Sequence, residues 1–222
     1  GTWKEKKLLT KKSSSGRNSG AYFTFDTDEI EKINYRIAIS FVSIENAKEN
    51  LRNEEKHLTF EEYQRETSKE WDSYLSTIKI KSKNEDRIKQ FYTHFYHSLI
   101  HPNIVSDING EYMGADFKVH KRKENREQYS SFSVCDTYRT QGQLIAMLFP
   151  KKSSDMMQSL VDFAEQAGGY GRWILANIET GIMQGDPTPI LISNSFAFGG
   201  DDFDLKTAYR YMKKGALIPR LY

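Results

Sequence analysis

Cysteine is almost missing from this 222-residue chain: Cys135 is the only one. That excludes an internal disulfide and a cysteine-based zinc site, and one thiol says little about compartment. Charge of a single sign is missing too. The 32 basic and 30 acidic residues are intermixed and leave a formal net charge of +2, so no field points to nucleic acid or to a membrane surface. No run approaches the ~18 apolar residues of a membrane span. No signal peptide opens the chain, so an exported parent is expected to have lost it. What remains is 38% apolar residues, enough for a sizeable core, and an aromatic share carried by Tyr and Phe. Those side chains suit carbohydrate stacking as well as packing.

Residues 1–20 are basic and rich in Ser and Gly without apolar periodicity, and read as loop or partly disordered chain. Residues 21–25 and 34–42 read as strands. Tyr35, Ile37, Ile39 and Phe41 would share one face. Two strands alone make no stable sheet, so a larger sheet is expected to continue elsewhere. From Ser43 the pattern turns helical. Ser43 caps a helix to about Glu55, and Thr59 with Glu62 forms a capping box for a second, to about Leu75. Thr77 to Ile80 reads as a short strand. Asn84 then caps a long helix to Ile100 with the stripe Ile88, Phe91, Tyr92, Phe95, Tyr96 and Leu99, and Pro102 stops it.

His94, His97 and His101 fall near the end of that helix. His spacing there allows a metal pair, but no carboxylate in the run completes a catalytic zinc pattern, so packing is the preferred role. Asn109-Gly110 between short extended arms signals a hairpin. Asp107, Asn109 and Glu111 look like the start of a calcium loop but lack its closing acidic residue. Lys121 to Glu127 reads as a charged, exposed run. Helices then follow at 144–149, 156–166 (ended by Gly168-Gly169), 190–196 (closed by Gly199-Gly200) and 205–214 (capped by Asp204). Five helices from residue 84 onward, alternating with polar loops, are the makings of a toroid of helical hairpins; five do not close the ring, so the chain is expected to stop midway.

Two polar segments stand out. Asp136 sits where a helix begins and Arg139 lies one turn on, on the same face; such a pair can hydrogen-bond vicinal hydroxyls. The segment 173–189 (WILANIETGIMQGDPTP) holds Asn177, Glu179 and Asp186 among Gly181, Gly185, Pro187 and Pro189, which oppose a continuous helix. An irregular polar loop between apolar elements is where sugar-binding groups usually sit.

Together these segments resemble glycoside hydrolase family 92. The resemblance rests on FYTHFYHSLIHPN (91–103), SDINGEYMG (106–114), FSVCDTYR (132–139) and ANIETGIMQGDP (176–187). AFG at 197–199 with the helix ending MKKGA (212–216), and the stretches 20–26 and 39–47, extend it over roughly residues 20–217. Cys135 departs from the family's usual Trp, removing a stacking face.

The family implies a mainly α chain: a partial (α/α)6 barrel (84–222), preceded by the last strands of an N-terminal β-sandwich (1–42) and a helical linker (43–83). It implies calcium-dependent, inverting α-mannosidases, exported by bacteria to the periplasm or outside, acting on mannose-containing glycans. Inversion needs an acid and a base carboxylate about 6.5–9.5 Å apart. The family's acid and base motifs do not occur before Tyr222, so no catalytic role falls on this chain, and calcium ligands are expected outside it. Sugar contacts are expected from Asp136, Arg139, Asn177, Glu179 and Asp186. Unfilled half-barrel faces would favour self-association. Two other readings stay open: a non-catalytic helical carbohydrate-binding or interaction module, and a helical lyase or metal enzyme built on His94, His97 and His101.

Overall fold

The computed structural model describes residues 1–218 except 27, 29, 30, 56, 57 and 124. Its contacts divide the chain into two compact units, residues 1–37 and 38–222.

The first unit holds a small antiparallel sheet in the order β2-β1-β3, from β1 (Thr2–Lys4), β2 (Lys7–Leu9) and β3 (Ser19–Ala21). Sequence reading expected loop here, because strands this short show no periodicity. Trp3 pairs with Gly20 across the sheet. A Cβ at Gly20 would come within 2.6 Å of the Trp3 indole, so glycine makes room for the ring. The strands expected at 21–25 and 34–42 do not form. Tyr35, Ile37 and Ile39 keep their alternation but are 81%, 75% and 71% exposed. Alternation prepares one face for burial; a strand also needs a neighbour to take its backbone hydrogen bonds, and no ladder reaches this segment among the described residues.

The second unit is mainly helical. Helix α1 (Ile44–Glu55) starts where the Ser43 hydroxyl accepts from the Asn46 N–H, and α2 (Phe60–Leu75) has both halves of the Thr59/Glu62 capping box. Helix α3 (Glu85–Ser98) is capped by Asn84. The segment 77–80 is not a strand. Short strands follow: β4 (Asn103–Ile104), β5 (Glu111–Met113), β6 (Val119–Lys121), β7 (Tyr129–Ser130) and β8 (Phe132–Ser133). The Asn109-Gly110 turn closes locally, with the Gly110 N–H donating to Asp107 O at 2.8 Å. It does not join a hairpin: β5 pairs forward with β6, while β4 pairs with β7.

After a single turn, α4 (Val134–Thr137), come α5 (Gln141–Leu148) and α6 (Pro150–Ala167). Then β9 (Trp173–Leu175), β10 (Ile178–Glu179), α7 (Thr188–Ala197) and α8 (Leu205–Leu217) complete the order. Helix α6 starts earlier than expected because Pro150 suits a first turn, and it ends at Gly168 in the left-handed conformation. It is the spine of the core: Met157, Leu160, Val161 and Ala164 are buried against residues from α5, α7, α8 and the β8–β9 strands. Fully burying Leu160 or Val161 is worth about 1.5–3 kcal/mol each. Close packing is sharpest at Gly142, where a Cβ would fall 2.3 Å from Leu191 Cδ1.

The run from Lys121 to Glu127 is solvated only in part: Lys121, Lys123 and Asn125 are exposed, and the two arginines are not. Arg122 turns inward to Asp162 (2.8 Å) and lies over the Tyr112 ring, while Arg126 pairs with Asp155 at 2.7 Å and with Asp202. Glu124 lies outside the described residues. Burial, with the Asp162 charge beside it, pushes the Tyr112 hydroxyl up to about 12. A second polar joint fixes α1. The buried Asp107 carboxylate accepts from Asn46, Asn50 and the Ser40 hydroxyl at 2.7–2.8 Å, and Asn46 also donates to Glu111 at 2.9 Å. Of the residues that looked like a calcium loop, Asp107 and Glu111 therefore bind amide donors of helix α1, while Asn109 bonds to Glu111 within the loop.

Candidate functional site

The two polar segments meet on a three-stranded antiparallel sheet in the order β10-β9-β8. Ser133 lies opposite Trp173, Phe132 opposite Ile174, and Ile174 opposite Glu179. Antiparallel pairing brings the end of β8, the start of β9 and the end of β10 to one end of this sheet, an edge made of strand ends rather than of an outer strand. Asp136 follows directly from the first and Glu179 belongs to the last. The backbone of Arg172 is the joint: its N–H donates to Glu179 Oε2 at 2.6 Å, and its carbonyl accepts from the Val134 N–H at 3.1 Å.

Glu179 is half-buried and well held. Besides Arg172, its carboxylate accepts from the N–H groups of Trp173 (3.3 Å) and Gly181 (3.0 Å). It thus anchors the start of the 181–186 loop while keeping acceptor capacity for a ligand hydroxyl. A Cβ at Gly171 would meet Glu179 Oε2 at 2.6 Å, so glycine there lets the carboxylate approach the backbone. Asp136 is exposed and accepts from the Ser133 hydroxyl. Arg139 is exposed as well, but its Nε donates to the Tyr138 hydroxyl at 3.2 Å and its guanidinium lies over the Tyr138 ring. That hydroxyl first, and the Asp136 charge more weakly, hold Arg139 further into its charged form. The expected Asp136/Arg139 pair is therefore electrostatic at a distance, with Tyr138 between them in the sequence taking the direct contact.

Asn177 lies at the opposite end of the sheet, in the two-residue turn between β9 and β10, where its amide donates to Gly114 O at 2.9 Å. Asp186 is exposed on the 181–186 loop, beyond Gly185 and just before α7. Of the five residues read from the sequence, Asp136 and Glu179 share one edge, Arg139 flanks it, and Asn177 does not join them.

Non-glycine residues in the left-handed region mark these loops: Ser131, Thr140, Ala176 and Met183 all have positive φ. Thr140, at +87°, is the most costly, since a β-branched side chain resists that region at about 1–3 kcal/mol. Sequence reading missed Ser133, Tyr138 and Arg172. Ser133 could have been found from its i,i+3 spacing to Asp136; Arg172 acts through its backbone, which leaves no side-chain signal.

His94, His97 and His101 are exposed on or just beyond α3. Among the described residues, no three His, Cys, Asp or Glu side chains gather closely enough to hold a metal ion, so the metal-enzyme reading gains nothing.

Residues 46–221 match the family model described as the glycosyl hydrolase family 92 catalytic domain. The chain belongs to that family. Among solved structures, it is similar to the family GH92 alpha-mannosidase BT3965 from Bacteroides thetaiotaomicron, in complex with mannoimidazole. That match has 25% identity and a TM-score of 0.75, covering 80% of this chain and 23% of that one. The gh92 family glycosyl hydrolase ccman5 is 28% identical with a TM-score of 0.64, over 78% of this chain and 24% of that one. The GH92 inverting mannosidase BT2199 from Bacteroides thetaiotaomicron VPI-5482 shares the fold at 22% identity and a TM-score of 0.72, over 78% and 24%. The family 92 chain described here thus spans about a quarter of the length of the enzymes it matches. No curated protein matches it at a significant level.

Proposed function

We propose that this chain is part of the catalytic domain of an inverting α-mannosidase that removes terminal α-linked mannose from glycans. Its helices form part of an (α/α)6 barrel that follows a β-sandwich and a helical linker. The observation that carries the reading is the Arg172 backbone, which ties the Asp136 turn and the Glu179 loop to one sheet edge in a chain of this family. Asp136 and Glu179 accept hydrogen bonds from sugar hydroxyls there, with Arg139 as a donor beside them. Asp186 contributes from the exposed loop that Gly181 and Gly185 punctuate, and Asn177 contributes chiefly by holding the hairpin. The acid and the base that cleave the bond come from outside this chain, and the parent protein is exported.

Calcium belongs to the proposal only through the family. The described residues offer no cluster of metal-binding side chains, so no residue here is assigned to the ion and no step is routed through it. By itself the chain is expected to bind without turnover and to self-associate through apolar faces, which light scattering would detect.

The test is hydrolysis of an aryl α-mannoside by the protein that contains this chain, followed by proton NMR of the first product. β-Mannose appearing first supports the reading. α-Mannose first refutes inversion, and mannoside binding with no turnover in that protein favours a carbohydrate-binding module instead.

A further inference from the structure

Beneath the β9–β10 hairpin lies a small cavity walled by Ile174, Ala176 and Asn177 on one side and by Ser159, Phe163 and Gln166 of α6 on the other. Tyr112, Gln128 and Ser130 also line it. It offers about 20 Å³ to the centre of a water molecule, which is room for about one. Gln128 is 5% exposed, and its Oε1 is fully buried with no hydrogen-bond partner from the protein among the described residues. A buried amide oxygen left without a donor is costly.

The other polar side chains on the wall each already make at least one hydrogen bond within the protein. Gln166 donates to the Tyr112 hydroxyl and accepts from the Ala115 N–H. The Ser159 hydroxyl accepts from the Tyr129 N–H and donates to Asp155 O. The Asn177 amide donates to Gly114 O. Ser130 differs: its hydroxyl donates to Ala176 O, the first residue of the hairpin turn, and keeps acceptor capacity. Gln128 and Ser130 are two apart along one extended segment, so their side chains leave the backbone on the same side.

We propose that this cavity is a binding site for a single ordered water that donates one hydrogen to Gln128 Oε1 and the other to Ser130 Oγ. The water completes a chain of hydrogen bonds from Gln128 through Ser130 to Ala176 O, and so seats the hairpin that carries Asn177 and Glu179. Gln128 is then a positioning residue for that hairpin. The inference stands on the cavity and the unsatisfied oxygen, independently of the mannosidase reading.

A crystal structure of this chain, at a resolution that resolves waters, tests it without any substitution. One density peak within hydrogen-bond distance of both Gln128 Oε1 and Ser130 Oγ supports the site. A dry cavity, or a protein donor on Gln128 Oε1, overturns it. Gln128→Met, which keeps the length and removes the acceptor, is expected to lose the peak and to speed amide exchange in the 175–178 turn about tenfold. Gln128→Glu, which restores an acceptor, is expected to recover both. Exchange unchanged in Gln128→Met would overturn the positioning role.

Discussion

Helices α2 and α6 are similar in length, 16 and 18 residues, and are held in opposite ways. Helix α2 buries none of its residues fully and relies on its own chemistry: the Thr59/Glu62 capping box and the exposed Lys69–Glu66 pair. Its tertiary contacts include Trp71 tilted against Tyr96, Tyr74 edge-on to Phe149, and Lys152 over the Tyr74 ring. Helix α6 has no side-chain cap bond and buries ten residues. The first is legible from local sequence because local interactions make it. The second exists because the fold closes around it, which is the usual source of helix stability in proteins.

The difference can be broken most directly at Leu160, which is fully buried. Leu160→Ala should cost about 2–5 kcal/mol, whereas Tyr63→Ala on α2 should change stability by no more than about 0.5 kcal/mol. Urea denaturation of the two variants checks this, and comparable losses would erase the contrast. Next comes Asp155→Ala. It leaves Arg126 with Asp202 only, and should cost about 2 kcal/mol, below the range for a fully buried pair because Arg126 stays partly exposed. Thr59→Ala should cost about 1 kcal/mol, felt locally: amide exchange in the first turn of α2 accelerates while the global denaturation midpoint holds.

The smallest effect is a pH dependence of that same cap. Backbone and hydroxyl donors of Thr59 hold the Glu62 carboxyl below its usual range. A carboxyl depressed in the folded state contributes above its unfolded value of about 4.3 and loses that contribution as pH falls through the folded value. Protection of the first-turn amides of α2, measured against the unfolded chain at the same pH, should therefore fall on acidification below about pH 4.

The same contrast explains how far the sequence could be read. Caps at Ser43, Thr59, Asn84 and Asp204 placed α1, α2, α3 and α8 because each acts on backbone groups within one turn. The alternation of Tyr35, Ile37 and Ile39 misled because a strand depends on a neighbour that a local pattern does not encode. Asn109-Gly110 made its turn, yet strand β5 chose β6 instead. Arg122 and Arg126 read as solvated because their partners, Asp162 and Asp155, lie on a helix remote in sequence. At the site, residue types pointed to Asp136 and Glu179, but only pairing along β8, β9 and β10 reveals that they share an edge. The same pairing sends Asn177 to the far end.

The central claim is that this edge is a mannose-binding rim, and Asp136→Asn tests it most directly. The side chain is exposed and accepts from the Ser133 hydroxyl, so the fold should be undisturbed. In the protein containing this chain, kcat/KM on an aryl α-mannoside is predicted to fall about 30- to 100-fold, the loss of a hydrogen bond to a charged group, with Tm unchanged. Activity within about twofold of the unsubstituted protein would contradict the account.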